Sequence, residues 1–216
     1  MSRIIELQHG VSDSELGEVV DALKAGEVII APTDTLYGLL ADAFQESAVQ
    51  KVYRLKQRPG GMPLPLIAAS DDQVAEVVRL NSLARRLVEW FWPGPLTLAL
   101  PAREQVPHYL RAEDGTLAIR IPAHPVCRRL AHGVGRPLTA TSANLSGQPA
   151  ARAPEDIPQS MAEQVFAILS QGKLAADRAS TIVKVEENRY RVIREGAIPV
   201  EAIQSRLGED IFEGKE

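Results

Sequence analysis

Apolar runs in this chain are short, and proline or glycine cuts them off one after another, while amphipathic stretches of helical period lie between them. Ser12-x-x-Glu15 is a capping-box pattern that opens a helix with Leu16, Val19, Val20 and Leu23 on one face, and Gly26 closes it. Residues 27–31 read as a buried strand halted by Pro32. Helical period returns at Ala48, Val49, Val52 and Leu55 and stops at Pro59-Gly60-Gly61. A strand over 64–69 is confined by Pro65 to an edge or a bulge. Helices follow over 71–79 and 82–91, then strands over 96–100 and 117–121, a helix opened by Pro125, and a short strand over 138–141. A turn-rich stretch at 142–154 precedes β-prone segments at 165–169, 181–185 and 190–194, and Pro199 opens the last helix. Strands and helices alternate early and strands cluster late. The expected fold class is therefore α/β, a twisted mixed sheet flanked by helices rather than a pure parallel arrangement. No internal repeat or linker divides the chain, so one domain is expected over residues 1–207, followed by a frayed polar tail over 208–216.

The apolar stretch from Leu87 to Leu100 is broken by Glu89 and by Pro93-Gly94-Pro95, too short for the roughly 20 residues of a membrane span. No basic-then-apolar leader precedes His9, and a lone Cys127 excludes an internal disulfide, so a reducing, cytoplasmic location is expected. The net charge of −4 hides an uneven distribution: residues 49–152 carry fourteen basic and seven acidic side chains, a +7 segment inside an acidic protein. Of 24 basic residues 18 are Arg, a bias that suits forked recognition of phosphate or carboxylate. An anionic small molecule is a better expected ligand than long nucleic acid. A module that tracks RNA phosphates would be basic overall and rich in stacking aromatics; here the isoelectric point is about 5.7 and aromatics are 5%.

Common catalytic signatures are absent. Gly172-Lys173 lacks the rest of a P-loop, Gly133-Val134-Gly135 lacks the third glycine of a dinucleotide fingerprint, and the histidines at 9, 108, 124 and 132 have no ligand spacing. No activated nucleophile is recognisable. Six stretches carry polar groups in or at the ends of strands and helices. Pro32-Thr33-Asp34-Thr35-Leu36-Tyr37-Gly38-Leu39 follows a buried strand, where α/β sheets place ligands; the plain alternative is a turn capped by Thr33 and Asp34. Lys56-Gln57-Arg58 at a helix end is either a solvated cap or a phosphate clamp of one point charge and one fork. Arg120 sits in the strand Leu117-Ala118-Ile119-Arg120-Ile121, on the face of small Ala118 and with Thr116 just ahead, and its expected partner is a carboxylate. Residues 139–147, T-A-T-S-A-N-L-S-G, crowd small hydrogen-bonding groups onto one loop. Ser180-Thr181 and Arg194-Glu195-Gly196 flank two late strands. This inventory suits positioning and charge neutralisation at a phosphoryl centre.

In order and spacing, P-T-D-T-L-Y-G-L, K-Q-R-P, P-G-P-L-T at 93–97, A-I-R-I-P, T-S-A-N-L-S-G and S-T-I-V resemble the YrdC-type threonylcarbamoyl-AMP synthases over about residues 4–198. The resemblance implies a concave, positively charged cavity and the reaction of L-threonine, bicarbonate and ATP to threonylcarbamoyl-AMP and pyrophosphate. That product serves N6-threonylcarbamoyladenosine formation in tRNA, with tRNA or tRNA-modification proteins as further partners. It implies threonine contacts from Thr35, Arg120 and Ser180, and ATP contacts from Lys56, Arg58, Thr116, Ser142, Asn144 and Arg194. Lys56 and Arg58 are the implied catalytic cations. Mg2+ would accompany the nucleotide rather than occupy a protein cage. The chain departs from the family at Met62, Ile67 and Ala150, where contacts are lost or replaced. Two other readings are an RNA-binding module of the same fold and a related carbamoyl-adenylate enzyme with another acceptor.

Overall fold

The computed structural model describes residues 3–7, 10–58, 63–208 and 211–215. The first half of the chain runs β1 (Arg3–Glu6), α1 (Asp13–Lys24), β2 (Ile29–Pro32), β3 (Tyr37–Leu40), α2 (Glu46–Lys56), β4 (Leu66–Ile67), α3 (Asp71–Val77), α4 (Ser82–Phe91) and β5 (Leu96–Pro101). The second half runs β6 (Thr116–Arg120), α5 (Pro125–Val134), β7 (Leu138–Thr139), β8 (Thr141–Ser142), α6 (Gln159–Ala162), β9 (Ala167–Ser170), β10 (Thr181–Val185), β11 (Tyr190–Arg194), α7 (Val200–Leu207) and β12 (Phe212–Lys215). Local signals explain most of these bounds. Ser12 accepts from the Glu15 amide and the Glu15 carboxylate accepts from the Ser12 amide, the reciprocal box that starts α1. Pro125 opens α5, and Gly135, in the left-handed region at φ 79°, closes it.

The mixed α/β class holds, but the strands divide between two sheets where one was expected. One sheet has the order β1-β9-β2-β3-β8 and the other β12-β11-β10-β5-β6-β4-β7. The division begins at Pro32, where the chain reverses so that Pro32 pairs with Tyr37 and β3 returns antiparallel along β2. Half of the P-T-D-T-L-Y-G-L stretch is thus a strand, not a loop. Because β2 lies inside its sheet with both faces covered, its residues show no polar alternation. Ile30 packs into the larger core with β5 and β6, while Ile29 and Ala31 face α1 and α5. Those two helices touch at Gly133, where a Cβ would stand 2.7 Å from a Val20 methyl.

Other expectations change in extent. Pro65 restricts β4 to two residues, and α3 ends at Val77. The region read as a frayed tail contains β12, which pairs parallel with β11; the Phe212 ring lies 5.3 Å from that of Tyr190, and Lys215 meets Glu195 at 2.7 Å. With a second ion pair between Arg189 and Glu213 at 3.3 Å, one aromatic contact and two ion pairs accompany the pairing of an otherwise polar strand on a sheet edge. The Pro59-Gly60-Gly61 stop and Met62 lie outside the described residues, as does His9. Among the described residues no helix is long and apolar enough to cross a membrane.

Candidate active site

Register brings the site together on the face of the larger sheet that points away from its core. In β6, Leu117 and Ile119 enter the core, so Ala118 and Arg120 face the other way. β10 pairs parallel with β5, setting Ile182 beside Thr97, and β11 pairs with β10, setting Arg194 beside Ile182. Opposite this face stand the turn between β2 and β3 and the β8 end, where Gly38 pairs with Ser142. The space enclosed is a cavity of about 180 Å3, lined among others by Thr35, Arg58, Arg120, Ser142, Ser180 and Arg194. Three cations from distant stretches of chain line one cavity. Its size lies below the roughly 300 Å3 at the lower end of drug-sized pockets, so it suits an amino acid more than a whole nucleotide.

Arg120 is the most constrained of the three. It is buried, and its Nη1 donates to Asp34 Oδ1 at 2.5 Å and to the Gly94 carbonyl at 3.3 Å, while Nη2 donates to Thr35 Oγ1 at 3.3 Å. The carboxylate partner expected of it is therefore present within the chain. Thr33 organises the turn that supplies Thr35: its hydroxyl donates to the Leu36 carbonyl and accepts from the Thr35 and Leu36 amides. This is the local side-chain-to-backbone pattern typical of threonine in turns. Tyr37, next along, is buried and donates from its hydroxyl to Gly172, tying the segment after β9 to the cavity edge.

On the opposite side, Arg194 donates through Nε and Nη2 to the Ser180 carbonyl. Its guanidinium pKa is lowered, first by burial and then by the nearby Arg120 charge. Ser180 Oγ shares a hydrogen bond of 2.8 Å with Thr97 Oγ1. Below them, Thr181 Oγ1 donates to the Ile198 carbonyl and accepts from the Gly196 and Ile198 amides, which fastens the chain after β11 to the start of β10. Gly196 has no room for a side chain, since a Cβ would stand 2.2 Å from the Ala179 carbonyl oxygen.

Lys56 does not line the cavity. Only 4% exposed, it donates from Nζ to the Ser142 carbonyl at 2.5 Å, the Asn144 carbonyl at 2.9 Å and Asn144 Oδ1 at 3.1 Å. Burial, and secondarily Arg58, lowers its pKa from 10.5 to about 8. Asn144 in turn donates to the carbonyls of Leu145 and Gln148 and accepts from Ser142 Oγ. Lys56 and Asn144 thus form a layer behind Ser142, and of the K-Q-R triplet Arg58 alone reaches the cavity wall. Thr116 also stands away from the wall; its hydroxyl and amide donate to Asp114, which also accepts from Lys184. Ile67 is buried in the core beside α1 and α5, so no cavity contact remains at that position, and Ala150 does not line the cavity. Thr33 and Thr141 on the wall and Asp34 behind it lie in loops that the sequence singled out without giving these residues a ligand role, and Thr97, also on the wall, was given none. Thr97 lay in the P-G-P-L-T motif, and its place on the outward face of β5 was the available signal.

The profile of the Sua5_yciO_yrdC family, described as telomere recombination, matches residues 21–196. Similar relatives include the threonylcarbamoyl-AMP synthases of Vibrio campbellii, 33% identical across 83% of this chain and 97% of that protein, and of Pyrococcus abyssi, 31% identical across 97% of this chain. This chain spans 62% of the longer archaeal protein. The crystal structure of P. abyssi Sua5 complexed with L-threonine superposes with a TM-score of 0.89 at 31% identity, covering 98% of this chain and 63% of that one. A mixed α/β fold with three arginines lining one cavity, and similarity along nearly the full sequence, give one conclusion: this chain belongs to the Sua5/YciO/YrdC family.

Proposed function

We propose that this protein is an L-threonylcarbamoyladenylate synthase. The observation that carries the reading is the convergence of Arg58, Arg120 and Arg194 on one small cavity that also presents Thr35, Ser142 and Ser180. In the reaction, the threonine amine attacks carbon dioxide derived from bicarbonate, releasing a proton and forming a carbamate. A carbamate oxygen then attacks the α-phosphorus of ATP, and pyrophosphate leaves. No enzyme nucleophile is required, and the chain's work is to hold two anionic reactants together and neutralise charge.

Arg120, Thr35 and Ser180 take the amino acid. The buried, held fork of Arg120 receives the carboxylate, and the Thr35 and Ser180 hydroxyls lie on either side. Arg58 and Arg194 face the phosphates at the cavity mouth, with Arg58 the catalytic cation. Ser142 meets the nucleotide directly, and Lys56 and Asn144 act through the loop that carries it. Thr116 contacts the part of the nucleotide that extends past the small cavity along the β6 face. Mg2+ arrives with the triphosphate, its ligands phosphate oxygens and water. Among the described residues no group of three or more His, Cys, Asp or Glu side chains is placed to cage a metal. The product passes to N6-threonylcarbamoyladenosine formation in tRNA, in the cytoplasm, with residues 1–207 acting as one catalytic unit.

The test is pyrophosphate release from ATP and bicarbonate with threonine, serine or glycine as the amine. Threonine-dependent release with threonine strongly preferred is expected. Release independent of amino acid, or only with carbamoyl phosphate, would replace this reading by a related carbamoyl-adenylate chemistry.

A further inference from the structure

Asp34 has no assigned task, and its position is costly. Its side chain is 10% exposed; Oδ1 accepts from Arg120 Nη1, and Oδ2, also buried, meets no hydrogen-bond donor. A buried carboxylate oxygen without a donor loses its solvation and gains nothing in exchange. Nor is the pair with Arg120 a fork-to-fork one: Arg120 also serves the Gly94 carbonyl and Thr35 Oγ1, so Asp34 holds one end of the guanidinium. For folding alone, an apolar pair of similar volume is often as good as or better than a buried ion pair. The retained charge therefore points to the ligand.

We propose that Asp34 is the specificity-determining residue of the amino-acid half of the cavity: by neutralising Arg120 in the empty pocket, it makes the pocket accept a zwitterionic α-amino acid and reject the same molecule carrying a carboxylate alone. The inference rests on the reading that Arg120 receives the substrate carboxylate. A bare carboxylate arriving at Arg120 shares that guanidinium with Asp34 and takes the local balance from zero to minus one in a poorly hydrated setting. A zwitterion brings its own ammonium and leaves the balance at zero. The effect acts through the field of Asp34, which stands behind the cavity wall. Arg58 and Arg194 line the same cavity and attract any anion. Their pull favours the net-negative ligand in wild type and variant alike, and it cancels when the preference of Asp34→Asn is compared with that of the wild type.

The experiment is calorimetric titration of the full chain, without ATP, with L-threonine and with the 2,3-dihydroxybutyrate in which a hydroxyl replaces the amine. The wild type is expected to prefer threonine. In Asp34→Asn the preference shrinks by about tenfold or more, because threonine binds more weakly and the hydroxy acid more tightly, as removal of one close charge predicts. ATP affinity, measured separately, stays the same. Equal losses for both ligands in Asp34→Asn would reduce Asp34 to a structural brace and overturn the proposal. So would a wild type that binds the two ligands equally well. Should Asp34→Asn fail to fold, Asp34→Glu, which keeps the charge, retains the preference if the proposal holds and loses it if shape alone matters. A wild-type chain that binds no threonine would instead strike at the proposed function.

Discussion

At the scale of single residues, Lys56 separates a role inherited from sequence position from one set by packing. As the final residue of α2 it has the place of a dipole-favoured cap, yet its ammonium is turned inward to three oxygens of the Ser142–Asn144 loop. Its pKa of about 8, against 10.5 in the ordinary case, fixes the sign of two pH effects. Between about pH 8 and 10.5 the unfolded chain binds the proton and the folded chain does not, so this group makes folding more favourable as pH rises through that window. Over the same range the loop loses the charge that draws its carbonyls together. ATP affinity is therefore expected to fall above about pH 8 while thermal stability does not, a divergence readable by calorimetry and by melting curves at matched pH. Lys56→Met extends the comparison: the buried charge disappears, the three loop oxygens lose their donor at a cost of about 1–3 kcal/mol, and turnover drops by roughly tenfold or more, in line with lost preorganisation of hydrogen-bond donors. A variant that melts early but turns over normally would contradict the positioning role.

Among the elements, the junction of β10 and β11 sets the tolerance of the site. Arg194 ends β11, and two residues later Gly196 lies against the Ala179–Ser180 backbone, where a methyl group would overlap a carbonyl oxygen. The overlap involves backbone and cannot be relieved by a side-chain rotation. Gly196→Ala is expected to push Ser180 and Arg194 apart, raising KM for both threonine and ATP by about tenfold or more and lowering stability by about 1–3 kcal/mol. Steady-state kinetics and urea unfolding check the two arms. Wild-type KM values would show that the junction yields without moving the site. The strands and helices themselves were largely readable, because each depends on local pattern. The capping box of α1, the alternation of β6 and the proline that opens α5 need no distant partner. What resisted reading were β12, polar enough to look like a tail, and β3: in Tyr37-Gly38-Leu39-Leu40 the glycine weakens the strand signal, and its pairing with β2 depends on the turn organised by Thr33.

For the molecule as a whole, the two sheets share one core but carry different parts of the chemistry. The smaller sheet brings the Thr33–Leu36 turn and Ser142; the larger brings Arg120, Ser180 and Arg194. β12 contributes nothing to the cavity, yet it lies along β11, whose far end is Arg194, and Lys215 reaches back to Glu195. Removing residues 208–216 is accordingly expected to weaken ATP binding several-fold while leaving threonine binding near its wild-type value, since Arg120 belongs to strands that β12 does not touch. Titration of each ligand against the truncated chain measures this directly. Parallel losses for both would mean that β12 stabilises the whole sheet rather than the Arg194 end.

From the sequence alone came the kit and its order: strands bounded by proline and glycine, helices with their caps, an arginine-rich middle, and hydroxyls and amides at strand ends, all encoded by local propensity and period. Tertiary structure alone decided how the kit is assembled. Arg120 meets Asp34 and Lys56 meets the Ser142 carbonyl, each pair 86 positions apart. No local pattern specifies such a meeting, because it follows from which strands pair and in what register. The same register turned Arg58 to the cavity and Lys56 away from it, although only Gln57 separates them, since the helix ends between them and its last side chain is buried rather than solvated.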